Sequence, residues 1–240
     1  MGKGPDMNVL AIGSHPDDIE VFCAGTLLKY RRAGHRIFLT LTTSGNIGSN
    51  LIEGRENIAR TREAEQLEAA KYYDAPVRFL RHDDEGLLDS PELRRELIDA
   101  IRWADPQVIF TNSPADPSTD HNVTGTVVSR VMLSLPGKNV PAGEPPIDRK
   151  PSLFYWDTGA GIGFQPEAYV DISGEMQTKL EALACHQSQY AWMDTFQIHN
   201  FTDHVRILAE WRGLQAGCRH AEGFCAFRIH GYMADFRLLP

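Results

Sequence analysis

Residues 8–20 read NVLAIGSHPDDIE, and this stretch decides the fold. Its first six residues are mostly apolar and are typical of a strand that is buried on both faces. From Ile19 onward the apolar residues recur at helical spacing instead. One histidine and two aspartates therefore lie at the turn between a strand and a helix, where open α/β sheets hold their ligands. Imidazole and carboxylate groups bind divalent metals, and a spare carboxylate can act as a base.

The composition is that of an ordinary globular protein, with 42% hydrophobic and 23% charged residues in a chain of 240. We expect a single domain over residues 1–240, in which residues 1–6 form a flexible leader. The net charge of −8 argues against non-specific binding to nucleic acid or to an anionic membrane. Residues 1–6 lack the apolar core of a signal peptide, and the four cysteines form no C-x-x-C pair. A cytoplasmic location is therefore the default expectation.

Strands and helices alternate along the chain. Apolar runs predict strands at residues 8–13, 36–43, 77–80, 107–111, 153–156 and 169–172. Helical periodicity predicts helices at residues 19–34, 55–73, 121–135, 175–190 and 203–217, and one that begins at Ser90-Pro91. This alternation predicts an α/β fold: one Rossmann-like domain with a mostly parallel central sheet of about five strands, covered by helices on both faces.

A second polar cluster follows the strand at residues 107–111 and ends at Asp120 and His121. Loops that leave the carboxyl ends of parallel strands meet at one edge of the sheet, so His121 is expected to meet His15 and Asp18. Two histidines and one carboxylate make a three-ligand set of the catalytic zinc type. Asp120 is a candidate for orienting a neighbouring polar group. The simpler alternative is that the histidines are caps or surface residues and that Asp17 and Asp18 cap a helix.

These motifs, with others in the same order along most of the chain, resemble those of the PIG-L or LmbE-like family of zinc-dependent deacetylases, which act on N-acetylglucosamine-type groups. The matching segments are His15-Pro16-Asp17-Asp18 with Gly25-Thr26-Leu27, the loop at residues 41–48, Arg62 and Glu65, Asp120-His121 with Gly125, Lys179 to Gln189, and Ala221 to Phe224.

The resemblance implies a role for each matching position. His15, Asp18 and His121 are the implied metal ligands, and Asp17 is the implied general base that activates water against an acetamide carbonyl. The implied cofactor is Zn²⁺, although Fe²⁺ and Co²⁺ suit the same ligands. The implied partner is a small N-acetyl amino sugar or glycoside, and homo-oligomeric assembly stays open.

Two further residues are candidates for substrate binding. Arg62 suits a polar or anionic part of the substrate, with an intrahelical ion pair to Glu65 or Glu68 as the equally good alternative. His186 either faces the site or packs between helices. Substrate choice is expected to lie in the loops at residues 45–54, 136–150 and 159–165.

The chain departs from the family at one position. Many members carry His-x-Asp-His, whose first histidine helps to polarise the carbonyl, whereas this chain has Ser118 there. Serine donates a hydrogen bond but carries no positive charge, so either another group, with His186 and His82 as candidates, replaces the missing histidine or the metal alone polarises the carbonyl oxygen. Two other functions stay open on the sequence: another metal-dependent amide hydrolase or a hydratase on this scaffold, and a non-enzymatic sugar- or nucleotide-binding module. The turn after the first strand is acidic and lacks the G-x-G-x-x-G motif, and both properties disfavour phosphate binding.

Overall fold

A computed structural model describes residues 6–193 and 200–240. Of the expected leader, residues 1–5 lie outside this described part. The strands are β1 (Asn8–Gly13), β2 (Arg36–Thr43), β3 (Val77–His82), β4 (Val108–Thr111), β5 (Ser152–Trp156), β6 (Ala168–Asp171), β7 (Ala221–Ala226), β8 (Arg228–Ile229) and β9 (Tyr232–Met233). The α-helices are α1 (Asp18–Phe22), α2 (Ala24–Arg32), α3 (Arg55–Ala70), α4 (Pro91–Ala104), α5 (Thr119–Val131), α6 (Met176–Leu183), α7 (Gln187–Met193) and α8 (Phe201–Ala216).

The main sheet has seven strands in the order β3-β2-β1-β4-β5-β7-β6. The first five of these strands are parallel to one another, and β7 runs antiparallel to both β5 and β6. The mostly parallel α/β sheet is thus confirmed, and its parallel part has the expected five strands, to which β7 and β6 add an antiparallel extension. Strand β7 was missed because its sequence, AEGFCA, places a buried glutamate and a glycine where β-branched residues would signal a strand.

Helices cover both faces of the sheet. Successive side chains of β1 point to opposite faces and pack against the helices on each side. Val9 and Ala11 belong to a core formed with α1, α2, α6 and α8. Leu10 and Ile12 belong to a second core formed with α4 and α5. No helix in the described part of the chain is both long and apolar enough to span a lipid bilayer.

Strand order reverses at β1, which pairs with β2 on one side and with β4 on the other. The chain leaves β1 and β4 at the same edge of the sheet and turns to opposite faces. Ligands of open α/β sheets bind in the crevice that such a reversal creates. The two polar clusters of the sequence follow these two strands.

The helix expected at residues 19–34 is broken into α1 and α2, and a distant ion pair explains the break. The Glu222 carboxylate accepts hydrogen bonds from the backbone amides of Gly25 and Thr26, at 2.9 and 2.8 Å. Lys179 Nζ donates to Glu222 at 2.6 Å and to the Val21 carbonyl at 2.8 Å. Backbone groups that a continuous helix would pair with one another are therefore paired with side chains instead. Four of these residues, Gly25, Thr26, Lys179 and Glu222, belong to the matched motifs.

Candidate metal and catalytic site

The turn after β1 fixes the direction of the Asp18 carboxylate. Asp18 Oδ2 accepts hydrogen bonds from the backbone amides of Ser14 at 2.8 Å and His15 at 3.1 Å. Neither Asp17 nor Asp18 caps helix α1 in the expected way, since the N-cap residue Asp17 makes no side-chain capping bond and Asp18 binds residues that precede it. Helix capping therefore does not account for the Asp-Asp pair, and Asp18 Oδ1 is directed towards the two histidines.

Three ligand atoms converge at the crevice. His15 Nδ1 lies 3.2 Å from His121 Nε2, well within the separation of about 4 Å that two zinc–nitrogen bonds allow. Asp18 Oδ1 lies 3.2 Å from His121 Nε2 and 3.7 Å from His15 Nδ1. Ligands at about 2 Å from a tetrahedral ion are separated by roughly 3.3 Å. The three residues that the motifs indicated can thus bind one ion from three sides.

Each histidine has its second ring nitrogen beside a carboxylate. His15 Nε2 lies 3.1 Å from Asp84 Oδ1 and 3.3 Å from Asp120 Oδ2. His121 Nδ1 lies 3.1 Å from Asp116 Oδ2. Metal-binding histidines characteristically have such carboxylate neighbours, which fix the tautomer and the ring orientation.

Asp120 therefore lies where the sequence suggested, although the ring that it contacts belongs to His15 and not to the adjacent His121. It is held there by hydrogen bonds from the backbone amides of Glu85, at 2.7 Å, and Leu87, at 3.3 Å. The sequence analysis missed Asp84 and Asp116. Both follow strands that end at the same edge of the sheet, which is the signal that could have identified them.

The electrostatics of this cluster favour a cation. Burial alone lowers the pKa of His121, but the carboxylates of Asp18 and Asp116 outweigh burial and raise this pKa to about 9. Burial also opposes protonation of His15, yet Asp120, Asp18 and Asp84 raise its pKa well above the usual value. Without a metal the site would thus take up protons to balance its carboxylates. A divalent ion can replace those protons, so the donor set fits a metal.

Asp17 adjoins these ligands but points elsewhere. Its backbone has φ 118° and ψ −26°, a left-handed conformation that is costly for any residue except glycine. Its side chain is 12% exposed and its Oδ1 lies 3.4 Å from a guanidinium nitrogen of Arg62. Burial raises the pKa of Asp17 to about 6, against the opposing effect of Arg62. A carboxylate with a pKa close to neutrality is suited to accept a proton and to return it.

Arg62 joins the loops after β1 and β2. Its guanidinium donates to the Pro16 carbonyl at 2.6 Å and to the Gly45 carbonyl at 3.0 Å. A Cβ atom at Gly45 or at Gly48 would overlap this guanidinium, and Gly45 also has a positive φ of 59°. The alternative of an intrahelical ion pair is not found: Glu65 binds Ser188, and Glu68 pairs with Lys71. Arg62 instead lies in the wall of the crevice, behind Asp17.

The crevice opens into a cavity of about 450 Å³. Its walls include the three converging ligands, Asp17 and Arg62, together with apolar residues from both ends of the chain. The apolar part of the wall is formed by Val21, Phe22, Ile47, Trp192, Met193 and Phe201. Among the residues that the structure describes, a third histidine also lines the cavity, His204 of α8, which was not predicted from the sequence.

Neither candidate for the missing polarising group reaches this cavity. His186 is fully buried, and its Nε2 contacts Glu20 at 3.0 Å, so the suggested contact of His186 with substrate is not supported. His82 Nε2 contacts Glu96 at 2.6 Å, and His82 does not line the cavity either. Ser118 begins α5 outside the cavity wall.

Two of the three loops expected to choose the substrate contribute to the wall, through Ile47, Gly48 and Gly159. The segment at residues 136–150 does not, because it leads into the amino end of β5 and therefore lies at the opposite edge of the sheet. There it packs beside Arg102, which donates to the carbonyls of Glu144 and Gly137 at 2.9 Å each.

Comparison with known proteins places this geometry in a family. The model of the PIG-L family, described as GlcNAc-PI de-N-acetylase, matches residues 10–132, which hold all three converging ligands. The uncharacterized deacetylase YaiS of Escherichia coli is 40% identical over 190 residues, covering 75% of this chain and 90% of that protein. The chain belongs to the PIG-L family.

Other PIG-L relatives extend the match over most of the chain. A diacetylchitobiose deacetylase from Thermococcus kodakarensis is 29% identical over 226 residues, which cover 90% of this chain and 81% of that protein. The solved structure of N,N'-diacetylchitobiose deacetylase from Pyrococcus horikoshii has a TM-score of 0.81 and 26% identity, covering 92% of this chain and 84% of that chain. These PIG-L matches class the protein as an N-deacetylase, a hydrolase of amide bonds.

Proposed function

We propose that this protein is a zinc-dependent enzyme that removes the acetyl group from the amide nitrogen of a small N-acetylated amino sugar or its glycoside. The observation that carries the proposal is the convergence of His15 Nδ1, Asp18 Oδ1 and His121 Nε2 in the wall of one cavity that the carboxylate of Asp17 also lines. Relatives named as deacetylases of diacetylchitobiose and of 2'-N-acetylparomamine support an amino sugar as the substrate class.

His15, Asp18 and His121 would hold the ion. A zinc ion at such a site supplies Lewis acidity, which polarises a carbonyl and makes a nearby water nucleophilic at neutral pH. The protein contributes the direction of the ligands: Asp84 and Asp120 hold the His15 ring, and Asp116 lies against the His121 ring. Three protein ligands leave further positions for substrate and water, as catalytic sites require.

Asp17 would act as the base. The water oxygen attacks the acetyl carbonyl carbon while an Asp17 oxygen takes the proton that this water loses. The carbon–nitrogen bond then breaks, and the proton is returned from Asp17 to the leaving nitrogen, which gives acetate and a free amine. The pKa of Asp17, raised by burial to about 6, suits both transfers because the group is ionised at neutral pH without being a very weak base.

Arg62 would place a positive charge in the cavity wall and would hold the loops behind that wall in position. Its bonds to the Pro16 and Gly45 carbonyls fix the loops that carry Asp17 and Gly48. It remains the proposed anchor for polar groups of the substrate, since it lines the same cavity. The apolar wall formed by Phe22, Trp192 and Phe201 suits the faces of a sugar ring.

Acetate release from a panel of compounds tests the proposal. We expect zinc-loaded protein to deacetylate N-acetylglucosamine or diacetylchitobiose, and to leave N-acetylated amino acids and simple N-alkyl acetamides largely untouched. Free amine and acetate should appear in equal amounts. Hydrolysis of the simple amides at rates equal to those for the sugars would contradict the assignment of an amino sugar as substrate.

His121→Ala should strip the metal from the site. The substitution removes one of three protein ligands, and a site with only His15 and Asp18 should bind zinc at least about a hundredfold more weakly. Metal content after gel filtration, measured by mass spectrometry, should fall from about one ion per chain to a small fraction. His82→Ala is the matched control, because His82 pairs with Glu96 away from the cavity. Full zinc occupancy in His121→Ala would refute the ligand set.

A further inference from the structure

A fully buried row of polar side chains lies behind Asp17 and outside the cavity wall. It begins at His186, continues through Glu20 and Gln66, and ends at the backbone amide of Asp17. The first three residues are 0% exposed. Because they do not reach the cavity, substrate recognition does not explain them.

We propose that Gln66 is a positioning residue for the base: its side-chain carbonyl holds the Asp17 backbone in the conformation that aims the carboxylate, and Glu20 and His186 fix the orientation of Gln66. The inference rests on the proposed function, since it assigns a role in catalysis to residues that contact no substrate. It extends the proposed function because it places residues that position the base in α3 and in the segment between α6 and α7.

The distances define one continuous row of hydrogen bonds. The Asp17 amide donates to Gln66 Oε1 at 3.2 Å. Gln66 Nε2 donates to both oxygens of Glu20, at 3.2 and 3.3 Å. The row is completed by His186 Nε2, which lies 3.0 Å from Glu20 Oε2.

The chemistry of these groups allows only one direction for the row. An ionised carboxylate only accepts hydrogen bonds, so Glu20 requires the amide nitrogen of Gln66 on its side. The carbonyl oxygen of Gln66 must then face the Asp17 amide, which only donates. His186 must likewise carry its proton on Nε2. A glutamine beside an uncharged neighbour could rotate its amide by half a turn, whereas Glu20 prevents this rotation.

The backbone of Asp17 explains why such support is needed. With φ at 118°, Asp17 adopts a backbone conformation that is strained for a residue that has a Cβ atom. Such a conformation persists only where neighbouring groups fix it, and a relaxed backbone would turn the carboxylate away from the reacting water. Arg62 fixes the loop from the cavity side, and Gln66 fixes it from the core side.

Gln66→Met tests this role by removing all three hydrogen bonds of the Gln66 side chain at nearly constant volume. We expect kcat for deacetylation to fall by roughly tenfold to a hundredfold, because a displacement of about 1 Å can cost that much. KM and zinc content should stay within twofold of the original values, since the ligands are not touched. The matched control is Gln107→Met, which removes the same kind of bond, from the Asn8 amide to Gln107 Oε1, at the far edge of the sheet. The control should change stability but not kcat.

A double exchange provides the sharper test. Gln66→Glu alone places two carboxylates together, and Glu20→Gln alone removes the charge that orients Gln66, so each should lower kcat. Together they rebuild the row with its middle bond reversed: the new glutamate at position 66 accepts from the Asp17 amide, and the new glutamine at position 20 donates to that glutamate and accepts from His186. We expect the double variant to recover most of the lost kcat.

The outcomes separate this inference from the proposed function. A wild-type protein that deacetylates no N-acetyl sugar would refute the function itself. A wild-type protein that is active, combined with unchanged kcat in Gln66→Met, would refute the positioning role alone. Equal falls in zinc content and kcat, or a double variant that is as inactive as the single ones, would show that Gln66 merely supports the fold.

Discussion

Asp17→Asn is expected to lose at least about a hundredfold in kcat while it keeps its zinc and its affinity for substrate. Asparagine matches aspartate in size but cannot accept a proton at neutral pH. The side chain of Asp17 makes no capping bond to α1, so the substitution should not loosen the helix. Steady-state deacetylation of an N-acetyl sugar and zinc content, both measured on the same preparation, check the result.

The neighbouring residue supplies the contrast for this experiment. Asp18→Asn changes a group whose pKa is held well below its usual value by His121 and His15, despite burial, and it should lose zinc together with activity. Two adjacent aspartates should therefore differ in metal retention. Near-normal turnover by Asp17→Asn with zinc bound would show that Asp17 is not the base.

The largest effect on stability is expected from Glu222→Gln. Glu222 pairs with Lys179 at 2.6 Å, both residues are buried, and its other oxygen accepts from the amide and hydroxyl of Thr26 at 2.8 and 2.6 Å. Removing the charge of Glu222 leaves a buried ammonium without its counter-ion. The free energy of unfolding should fall by about 3–5 kcal/mol, as measured by chemical denaturation.

Glu68→Gln is the matched control for this prediction. Glu68 and Lys71 also form an ion pair between a carboxylate and an ammonium group, but both side chains are largely exposed to solvent. An exposed pair of this kind contributes at most about 1 kcal/mol. Similar losses of stability in the two variants would contradict the view that the Lys179–Glu222 pair holds the junction of α1 and α2.

The sequence predicted the elements that depend on local periodicity and on the rules of parallel sheets. The mostly parallel sheet follows from alternating apolar runs and amphipathic segments. The meeting of His15 and His121 follows because β1 and β4 are neighbours and both release their loops at the same edge. Asp84 and Asp116 obey the same rule, and extending the argument to every strand end would have found both.

Features that depend on contacts between residues far apart in the sequence could not be predicted from local patterns. The interruption between α1 and α2 comes from Lys179 and Glu222, which lie more than 150 residues further along the chain. No local pattern shows that His186 lies against Glu20 and not in the cavity. Strand β7 is similarly specified by its partners β5 and β6, since its own residues have little strand character.

The position of the bound ion tests the assignment of the metal ligands. Crystals of the zinc-loaded protein, measured at the zinc absorption edge, should show one strong anomalous peak about 2.0–2.2 Å from His15 Nδ1, Asp18 Oδ1 and His121 Nε2. His15 also belongs to a second group of potential ligands, formed through its Nε2 with Asp84 and Asp120. A peak at that second group, with the first one empty, would contradict the ligand assignment and the role of Asp17 that depends on it.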